Sequence, residues 1–419
     1  MESSKKFKVV TLGCRTNQYE SQAYTDQLKK MGYVEAKEDE EAELCIVNTC
    51  TVTESADSSS RYQIRHLARD NPGSKIVVTG CLAERTPAEL VNLPNVSHVI
   101  SNKDKENLLS FVFPEVEIPE FAIENFSAHT RSFVKVQDGC NSFCTYCIIP
   151  YVRGRSRSRT TPDILKEIEG LIASGKKEVV LTGINIGDFE DGEQRLADLV
   201  RQVDLIPGLE RLRVSSIDAD EVDEDLAGAI LEGKKTCQSM HIVLQSGSNV
   251  ILKRMNRKYT RQIFLETIER LKKASPDFTF TTDIIVGFPG ETEEDFQDTL
   301  SLVREIRFAK VHMFPYSPRE RTRAALYPNQ VPKDVIARRK QEVLRLTEEV
   351  GFELRNAYLG RTMKVLLESE DASRPGYIFG HTENFLPVYI PLGNLKSNDL
   401  IQVKLLTNEP DALIGVHAD

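Results

Sequence analysis

The sequence predicts an α/β protein of three parts: a small N-terminal parallel α/β sheet, a central partial (βα)6 barrel and a small C-terminal all-β barrel. Two observations predict this fold class. Over most of the chain, short β-branched runs alternate with helix-like stretches, as in parallel sheets. Beyond a long helix, the pattern changes to short alternating runs broken by Gly, Pro and Asn, which is typical of a small barrel. The predicted domain boundaries are 1–115, 126–357 and 358–419.

The composition excludes several classes of protein. The chain has 419 residues, of which 40% are hydrophobic and 28% charged, as expected for a folded protein of two or three domains. No apolar run approaches the roughly 20 residues that cross a bilayer, and the N-terminus lacks a signal-peptide pattern. We therefore expect a cytoplasmic location and no membrane partner. The net charge of −9 argues against a globally basic nucleic-acid-binding protein, and no DNA partner is expected.

The N-terminal part contains three strand-like runs, each followed by a cysteine. The runs lie at 7–12, 43–47 and 75–80, with helix-like stretches at 17–31 and 54–70. In a parallel sheet the carboxyl ends of the strands share one edge, so Cys14, Cys50 and Cys81 can converge there. Eight cysteines in such a chain indicate metal or thiol chemistry rather than disulfides. Buried cysteines at strand ends are often inert, however, and spacing alone leaves a metal role open.

The central part begins after a predicted linker at 112–128, which carries two prolines and four glutamates without clear periodicity. Six strand-like runs follow, at 132–136, 178–182, 211–216, 241–244, 279–286 and 310–314. Helix-like stretches lie near 162–174, 194–204, 222–232, 260–274 and 292–306. Six such units indicate an open barrel rather than a closed eightfold one. One long helix is predicted over 333–357, before the C-terminal strands.

A short loop after the first strand of this barrel carries three cysteines in the spacing C-x₃-C-x₂-C. These are Cys140, Cys144 and Cys147, in GCNSFCTYCIIP. Three thiolates on one loop can hold three corners of a cubane iron–sulfur cluster and leave the fourth iron free for another ligand. Structural zinc prefers four protein ligands, and the loop has no histidine nearby. Zinc or a coincidental grouping are the alternative interpretations.

This loop resembles that of the radical S-adenosylmethionine (SAM) superfamily in its spacing, in Tyr146 before the last cysteine and in its place after the first strand. The resemblance implies that the open iron binds SAM and that the reduced cluster generates a 5′-deoxyadenosyl radical. DIIVGFPGE (283–291) resembles the glycine–proline motif beside the adenine, and LTGINIG (181–187) lies where the strand-two motif contacts the methionine. The SAM contacts implied by this resemblance are Thr182, Gly183, Gln245, Gly287, Pro289 and Gly290. For the glycines, the alternative is that any strand-to-helix turn favours them.

The N-terminal motifs resemble those of a narrower family, the methylthiotransferases. They are TLGCRTNQYES, VNTCTVTESA and VTGCLAER, joined by HIVLQSGSNVILKRMNRKYT at 241–260. Such enzymes have an auxiliary-cluster domain, a radical SAM barrel and a C-terminal β-barrel called TRAM. The resemblance implies two [4Fe–4S] clusters, an auxiliary one on Cys14, Cys50 and Cys81 and a SAM-binding one on Cys140, Cys144 and Cys147. Because a substrate C–H bond is activated by a radical, no conventional catalytic acid or base is expected. Cys45 and Cys237 match no ligand position.

The resemblance also implies a substrate. Family members modify an adenosine beside the tRNA anticodon, bearing an isopentenyl or a threonylcarbamoyl group, or an aspartate of a ribosomal protein. TLGCRTNQYES resembles the threonylcarbamoyl branch, since the isopentenyl branch typically has glutamine at the place of Arg15 and the protein-modifying branch has proline–lysine. We therefore expect methylthiolation at C2 of N6-threonylcarbamoyladenosine (adenosine-37) in the tRNA anticodon stem-loop, with an electron donor such as flavodoxin or ferredoxin. The alternatives are the other two substrates, or a non-catalytic iron–sulfur protein that binds RNA or senses redox state.

Local charge supports an RNA substrate despite the acidic total. Segments 131–159 and 251–261 each carry a local charge of +5, enough to contact several phosphates. The alternation over 153–159 predicts that its four arginines share one side of an extended segment. The C-terminal part is acidic, so RNA contact there would use Arg361, Lys364 and Arg374, or stacking on Tyr377, Phe379 and Phe385. The alternatives are solvated charges and barrel core.

Overall fold

The N-terminal part of the computed structural model, which describes residues 5–124 and 130–418, is a parallel sheet flanked by helices. Its strands are β1 (Lys6–Thr11), β2 (Val34–Glu35), β3 (Leu44–Thr49), β4 (Lys75–Gly80) and β5 (Val96–Val99). Its helices are α1 (Arg15–Lys30), α2 (Glu54–Asp70), α3 (Cys81–Arg85), α4 (Pro87–Leu90) and α5 (Leu108–Val112). The strand order is β2-β1-β3-β4-β5 and every pairing is parallel, so the carboxyl ends share one edge as predicted.

Helix α1 lies between this sheet and the central barrel. Most of its residues from Thr16 to Leu28 are buried, although the helix is largely polar. Tyr24 packs into the core of the sheet, whereas Tyr19 packs into the core of the barrel. The helix therefore joins the two parts through apolar contacts on both sides.

The central part contains the six predicted strands together with several two-residue strands. The strands are β6 (Arg131–Lys135), β7 (Gln137–Asp138), β8 (Arg157–Ser158), β9 (Glu178–Thr182), β10 (Glu190–Asp191), β11 (Gln194–Arg195), β12 (Arg211–Val214), β13 (Ile217–Asp218), β14 (Ser239–Val243), β15 (Thr279–Val286) and β16 (Lys310–Pro315). The helices are α6 (Ile149–Val152), α7 (Thr161–Ala173), α8 (Leu196–Asp204), α9 (Glu224–Glu232), α10 (Asn249–Arg254), α11 (Arg261–Ala274), α12 (Glu293–Ile306) and α13 (Lys333–Asn356).

These strands form an open barrel, which confirms the predicted (βα)6 arrangement. Strands β12, β9 and β6 pair in one parallel group, and β14, β15 and β16 in another. A bridge between Leu212 and Thr236 connects the two groups. Helices α7, α11 and α12 begin where the side chains of Thr160, Thr260 and Thr292 accept backbone N–H bonds, since such caps satisfy the first free amides of a helix.

The C-terminal part is a closed five-stranded barrel, again as predicted. Its strands are β17 (Thr362–Glu370), β18 (Tyr377–Thr382), β19 (Pro387–Pro391), β20 (Leu400–Asn408) and β21 (Leu413–His417), in the order β17-β18-β19-β21-β20. Arg211, at the start of β12, donates hydrogen bonds to the carbonyls of Lys364 and His381. Thr279, at the start of β15, donates to the Asn384 carbonyl. The small barrel therefore packs against the amino ends of the central strands.

The end of the described part of the predicted linker is packed, whereas residues 114–117 are exposed. The Phe121 ring contacts those of Tyr19 and Tyr24, and Ile123 is buried. Residues 125–128 of that prediction lie outside the described residues. Within the described ranges, no helix combines the length and apolar character that crossing a membrane requires.

Candidate active site

The three N-terminal cysteines lie at the carboxyl edge of the parallel sheet. Cys14 precedes α1, Cys50 follows β3, and Cys81 begins α3 directly after β4. The chain passes so close here that a Cβ atom on Gly13 would lie 2.8 Å from Cys50 Cβ, and glycine avoids this clash. The sheet therefore brings together three thiols that are far apart in sequence.

The second cysteine group follows β7 at the mouth of the barrel and abuts the first group. Cys81 packs with Ile148 and Val152, the first of which directly follows Cys147. Helices α3 and α6, which carry these residues, contact each other. The sheet edge and the barrel mouth therefore face each other across this contact.

Nitrogen donors point at sulfur atoms of both cysteine groups. Arg153 Nε donates to Cys81 Sγ at 3.3 Å, Arg257 Nη1 to Cys144 Sγ at 2.9 Å, and the Ser142 backbone N–H to Cys140 Sγ at 3.4 Å. Hydrogen bonds of this kind stabilise the negative charge of iron–sulfur clusters and tune their potentials. The donor set thus fits cluster ligation.

Burial disfavours the thiolate form of Cys50, Cys81, Cys140 and Cys147. It raises the pKa of Cys50 to about 12, with the neighbouring Cys81 and Cys14 thiols adding to the rise. Burial also raises the pKa of Cys81, Cys140 and Cys147. Because cluster ligands are thiolates, cluster binding must release these protons.

A single metal ion fits the thiols less well than a cluster. Within the described residues, no three His, Cys, Asp or Glu side chains converge closely enough to hold one ion. In a cubane cluster each thiolate binds a different iron, so its three ligands need not meet at one point. The zinc alternative, which requires ligands around one ion, gains no support from this geometry.

The six predicted SAM contacts all follow strands of the central barrel. Thr182 ends β9 and Gly183 follows it, Gln245 follows β14, and Gly287, Pro289 and Gly290 form the turn between β15 and α12. The Gln245 Oε1 atom is buried without a hydrogen-bond partner among the described residues. These residues therefore lie around the same strand ends as the cysteine loop.

A cleft of about 180 Å³ separates the sheet from the barrel mouth. Val52 from the loop after Cys50 lines one side. Cys147, Gln245 and Asp283 line the barrel side, and Phe314 adds an apolar surface. Residues next to both cysteine groups thus share one cleft.

A buried charge network, which sequence analysis missed, connects the two sides. Arg153 Nη1 lies 2.9 Å from Asp138 Oδ1 and 3.2 Å from Glu20 Oε1, and Lys105 Nζ contacts both carboxylates at 2.5 and 2.6 Å. Although burial opposes ionisation, Lys105 and Arg153 hold the pKa of Glu20 at about 2. The network ties α1 to the segment that follows the cysteine loop.

The prediction that the four arginines of 153–159 share one basic side is wrong. Arg153 is buried in the charge network, and Arg159 Nη1 contacts Glu167 Oε2 at 2.5 Å. Arg155 lies over the Phe143 ring at 4.2 Å, and Arg157 contacts Asp138 at 3.3 Å. The segment turns at the end of α6 instead of extending: Arg153 and Arg157 contact Asp138, whereas Arg155 and Arg159 have other partners.

The basic residues predicted for RNA contact in the C-terminal barrel are also engaged. Arg361 pairs with Asp277, Lys364 with Glu210 at 2.9 Å, and Arg374 with Glu409 at 2.5 Å. The aromatic candidates are packed as well: Phe385 stacks on His381, Phe379 contacts His381 and Tyr389, and Tyr377 lies under Arg374. The alternative of structural residues fits these contacts better than a free RNA surface.

Two family models match the chain. Residues 134–303 match the radical SAM superfamily, and residues 6–101 match the uncharacterized protein family UPF0004. The chain is 50% identical over 412 residues to the threonylcarbamoyladenosine tRNA methylthiotransferase MtaB of Chlamydia pneumoniae, covering 98% of this chain and 97% of that protein. It is 36% identical to the tRNA-2-methylthio-N(6)-dimethylallyladenosine synthase of Desulfitobacterium hafniense, covering 97% of each.

A solved structure with a similar fold is the radical S-adenosylmethionine methyltransferase TsrM from Kitasatospora setae with cobalamin and a [4Fe–4S] cluster bound. The TM-score is 0.55 at 16% identity, covering 75% of this chain and 77% of that one. At this identity the similarity concerns the fold alone. It agrees with the open barrel described above.

Proposed function

Because this chain belongs to the radical SAM methylthiotransferase family, we propose that it adds a methylthio group to C2 of N6-threonylcarbamoyladenosine next to the tRNA anticodon. The observation that carries this proposal is a cleft lined by Cys147 on one side and, on the other, by Val52 from the loop after Cys50. The 50% identity to a relative named for threonylcarbamoyladenosine, against 36% to one named for dimethylallyladenosine, favours the first nucleoside.

Enzymes of this superfamily use SAM and a [4Fe–4S] cluster, and we assign two clusters to this chain. Cys14, Cys50 and Cys81 would hold the auxiliary cluster, and Cys140, Cys144 and Cys147 the SAM-binding one. The latter supplies, with SAM, the radical chemistry that an unreactive C–H bond requires.

The chain's own residues orient and shield this site. Arg153 donates a hydrogen bond to the Cys81 sulfur of the first cysteine group, and Arg257 donates one to the Cys144 sulfur of the second. Gln245 presents an unpartnered amide oxygen at the cleft, where the amino group of SAM is a suitable donor. Val52 and Phe314 give the cleft apolar walls against which a bound substrate would pack. The tRNA anticodon stem-loop is the proposed partner, and the electron donor stays a prediction.

The substrate is tested with tRNA from a strain that lacks this enzyme. Anaerobically reconstituted protein is incubated with this tRNA, SAM and dithionite, and the nucleosides are analysed by mass spectrometry. We expect methylthio-threonylcarbamoyladenosine, and none with the Cys140→Ala variant. Methylthiolation of isopentenyladenosine instead would overturn the substrate, and absence of 5′-deoxyadenosine would overturn the enzymatic function.

The two-cluster assignment predicts a specific loss of iron. Cys14→Ala and Cys140→Ala should each bind about half the iron and sulfide of the wild type, because each removes a ligand from one site only. Cys45→Ala is the matched control, since Cys45 is buried inside β3 and should leave both contents unchanged. Full iron content in Cys14→Ala would contradict the auxiliary site.

A further inference from the structure

Arg15 directly follows Cys14 and extends into the open barrel. Its guanidinium lies 5.6 Å from the centre of the Phe133 ring, a residue of β6 in the barrel core. The positive charge of Arg15 interacts electrostatically with His312 of β16 and with the carboxylate of Asp283 in β15. One residue of the auxiliary-site loop thus places a cation among side chains of the barrel interior.

This guanidinium lacks a polar partner. Across residues 5–124 and 130–418, no hydrogen bond or ion pair engages it, whereas the buried Arg153, Arg213 and Arg257 each bind a carboxylate. An arginine guanidinium stays protonated at neutral pH, so Arg15 is a cation there. A partly buried cation with unused donors is costly unless a ligand pairs with it.

The surroundings of Arg15 connect to the cleft. Asp283 lines the cleft beside Cys147 and Gln245, and the Gln245 backbone N–H donates to the Asp283 carbonyl at 2.8 Å. His241 Nε2, 3.4 Å from Asp283 Oδ1, is buried without a hydrogen-bond partner in the described part of the chain. His241 and Gln245 therefore each carry an unpartnered buried polar atom next to Asp283, the cleft residue whose charge acts on Arg15.

We propose that Arg15 forms a carboxylate-binding subsite that receives the threonyl carboxylate of the substrate nucleoside. This rests on the proposed function. In adenine, ring nitrogen N1 is bonded to both C2 and C6, and C6 carries the N6 substituent. A group that binds this substituent must therefore lie close to the centre that modifies C2. Arg15 meets this condition because it is adjacent in sequence to Cys14.

The subsite would select between nucleosides by charge. A guanidinium binds a carboxylate through two parallel N–H bonds, which makes such pairs both strong and specific. An isopentenyl group is neutral and apolar, and binding it would bury the guanidinium without compensation. Arg15 would thus favour the threonylcarbamoyl substrate and disfavour the isopentenyl one.

The test compares Arg15→Gln and Arg15→Lys with the wild type on two anticodon stem-loops that differ only in carrying a threonylcarbamoyl group or unmodified adenosine. Binding is measured by fluorescence anisotropy, and product formation by nucleoside mass spectrometry. We expect the wild type to prefer the threonylcarbamoyl stem-loop and Arg15→Gln to lose at least about tenfold of that preference. Arg15→Lys should lose less than Arg15→Gln, because lysine keeps the charge but not the two parallel N–H bonds. Iron content equal to that of the wild type shows that both variants retain their clusters.

The outcomes separate this inference from the proposed function. If Arg15→Gln keeps the full preference while the wild type makes the methylthio product, the subsite is wrong and the function stands. If the wild type methylthiolates no threonylcarbamoyladenosine, the proposed function fails and the inference fails with it. An equal loss in Arg15→Gln and Arg15→Lys would also count against a carboxylate subsite, because lysine retains the positive charge.

Discussion

Arg153 connects the two cysteine groups through a single side chain. It donates to the Cys81 sulfur and to the carboxylates of Glu20 and Asp138, and it follows the loop that ends at Cys147. A buried cation held by several acceptors has few alternative positions. Arg153 therefore fixes the position of the loop relative to the sheet edge.

Removal of Arg153 should destabilise the protein strongly. Arg153→Met leaves the buried carboxylates of Asp138 and Glu20 with one positive charge fewer beside them. Removing one partner of a buried ion pair in this way lowers the free energy of unfolding by about 3–5 kcal/mol. The matched control is Arg157→Met, since Arg157 contacts the same Asp138 carboxylate with its side chain 49% exposed, and an exposed pair contributes about 0–1 kcal/mol. Urea-induced unfolding followed by circular dichroism measures both variants. Equal losses of stability would contradict the role of burial.

At this scale, sequence predicts positions better than contacts. Cys14, Cys50 and Cys81 could be placed at a sheet edge because each follows a recognisable strand. The pairing of Arg153 with Glu20 could not be predicted, because the two residues are 133 positions apart and charged residues are usually solvated. Arg153 consequently looked like one of four equivalent surface arginines.

Helix α1 shows the same difference between a predictable position and unpredictable contacts, here for a whole element. Its extent was predicted to within two residues at the N-terminus and one at the C-terminus. Its burial was not predicted, since its polar sequence is typical of a helix exposed on one face. The structure explains this polarity: Tyr19 donates to Glu167, and Asn17 donates to the carbonyls of Leu12 and Thr49. These polar groups are satisfied by the sheet and the barrel instead of by water.

The turn between β15 and α12 depends on Gly287. This residue has φ +76°, and a Cβ atom there would collide with the Ile336 side chain of α13. Gly287→Ala should therefore lower the free energy of unfolding by about 1–2 kcal/mol because of the left-handed backbone, and by a further ~1–3 kcal/mol because of the collision. Gly175→Ala is the control, because Gly175 has φ +94° but no atom within 4 Å of its Cβ position, so only the backbone cost applies. Thermal unfolding compares the two variants, and equal shifts would show that Ile336 moves aside freely.

At the scale of the molecule, the three-part architecture followed from the change of hydrophobic period, but the position of the C-terminal barrel did not. That position depends on Arg211 and Arg213, whose guanidinium groups donate to backbone carbonyls of β18 and its neighbours. No sequence pattern identifies an arginine that binds carbonyl groups. As a result, the small barrel lies at the end of the central strands opposite the thiols, and its residues Arg361 and Lys364 pair with carboxylates of the central barrel.

This arrangement predicts which cations contact tRNA. Binding to phosphates releases counterions, so each exposed contact adds about 0.7–0.9 to the slope of log Kobs against log salt concentration. Lys258 is exposed, has no ion pair among the described residues, and directly follows Arg257, which binds the Cys144 sulfur. Lys364 is already paired with Glu210.

Lys258→Ala should therefore reduce the magnitude of the slope of log Kobs against log salt concentration by about 0.7–0.9, the share of one phosphate contact. Lys364→Ala should leave this slope nearly unchanged. Fluorescence anisotropy with a labelled anticodon stem-loop at several salt concentrations measures both slopes. A larger effect of Lys364→Ala would mean that the Glu210 pair opens on binding and that the C-terminal barrel grips the RNA directly. The expected result instead places the electrostatic contact beside the cysteine loop, where the adenosine must enter the cleft.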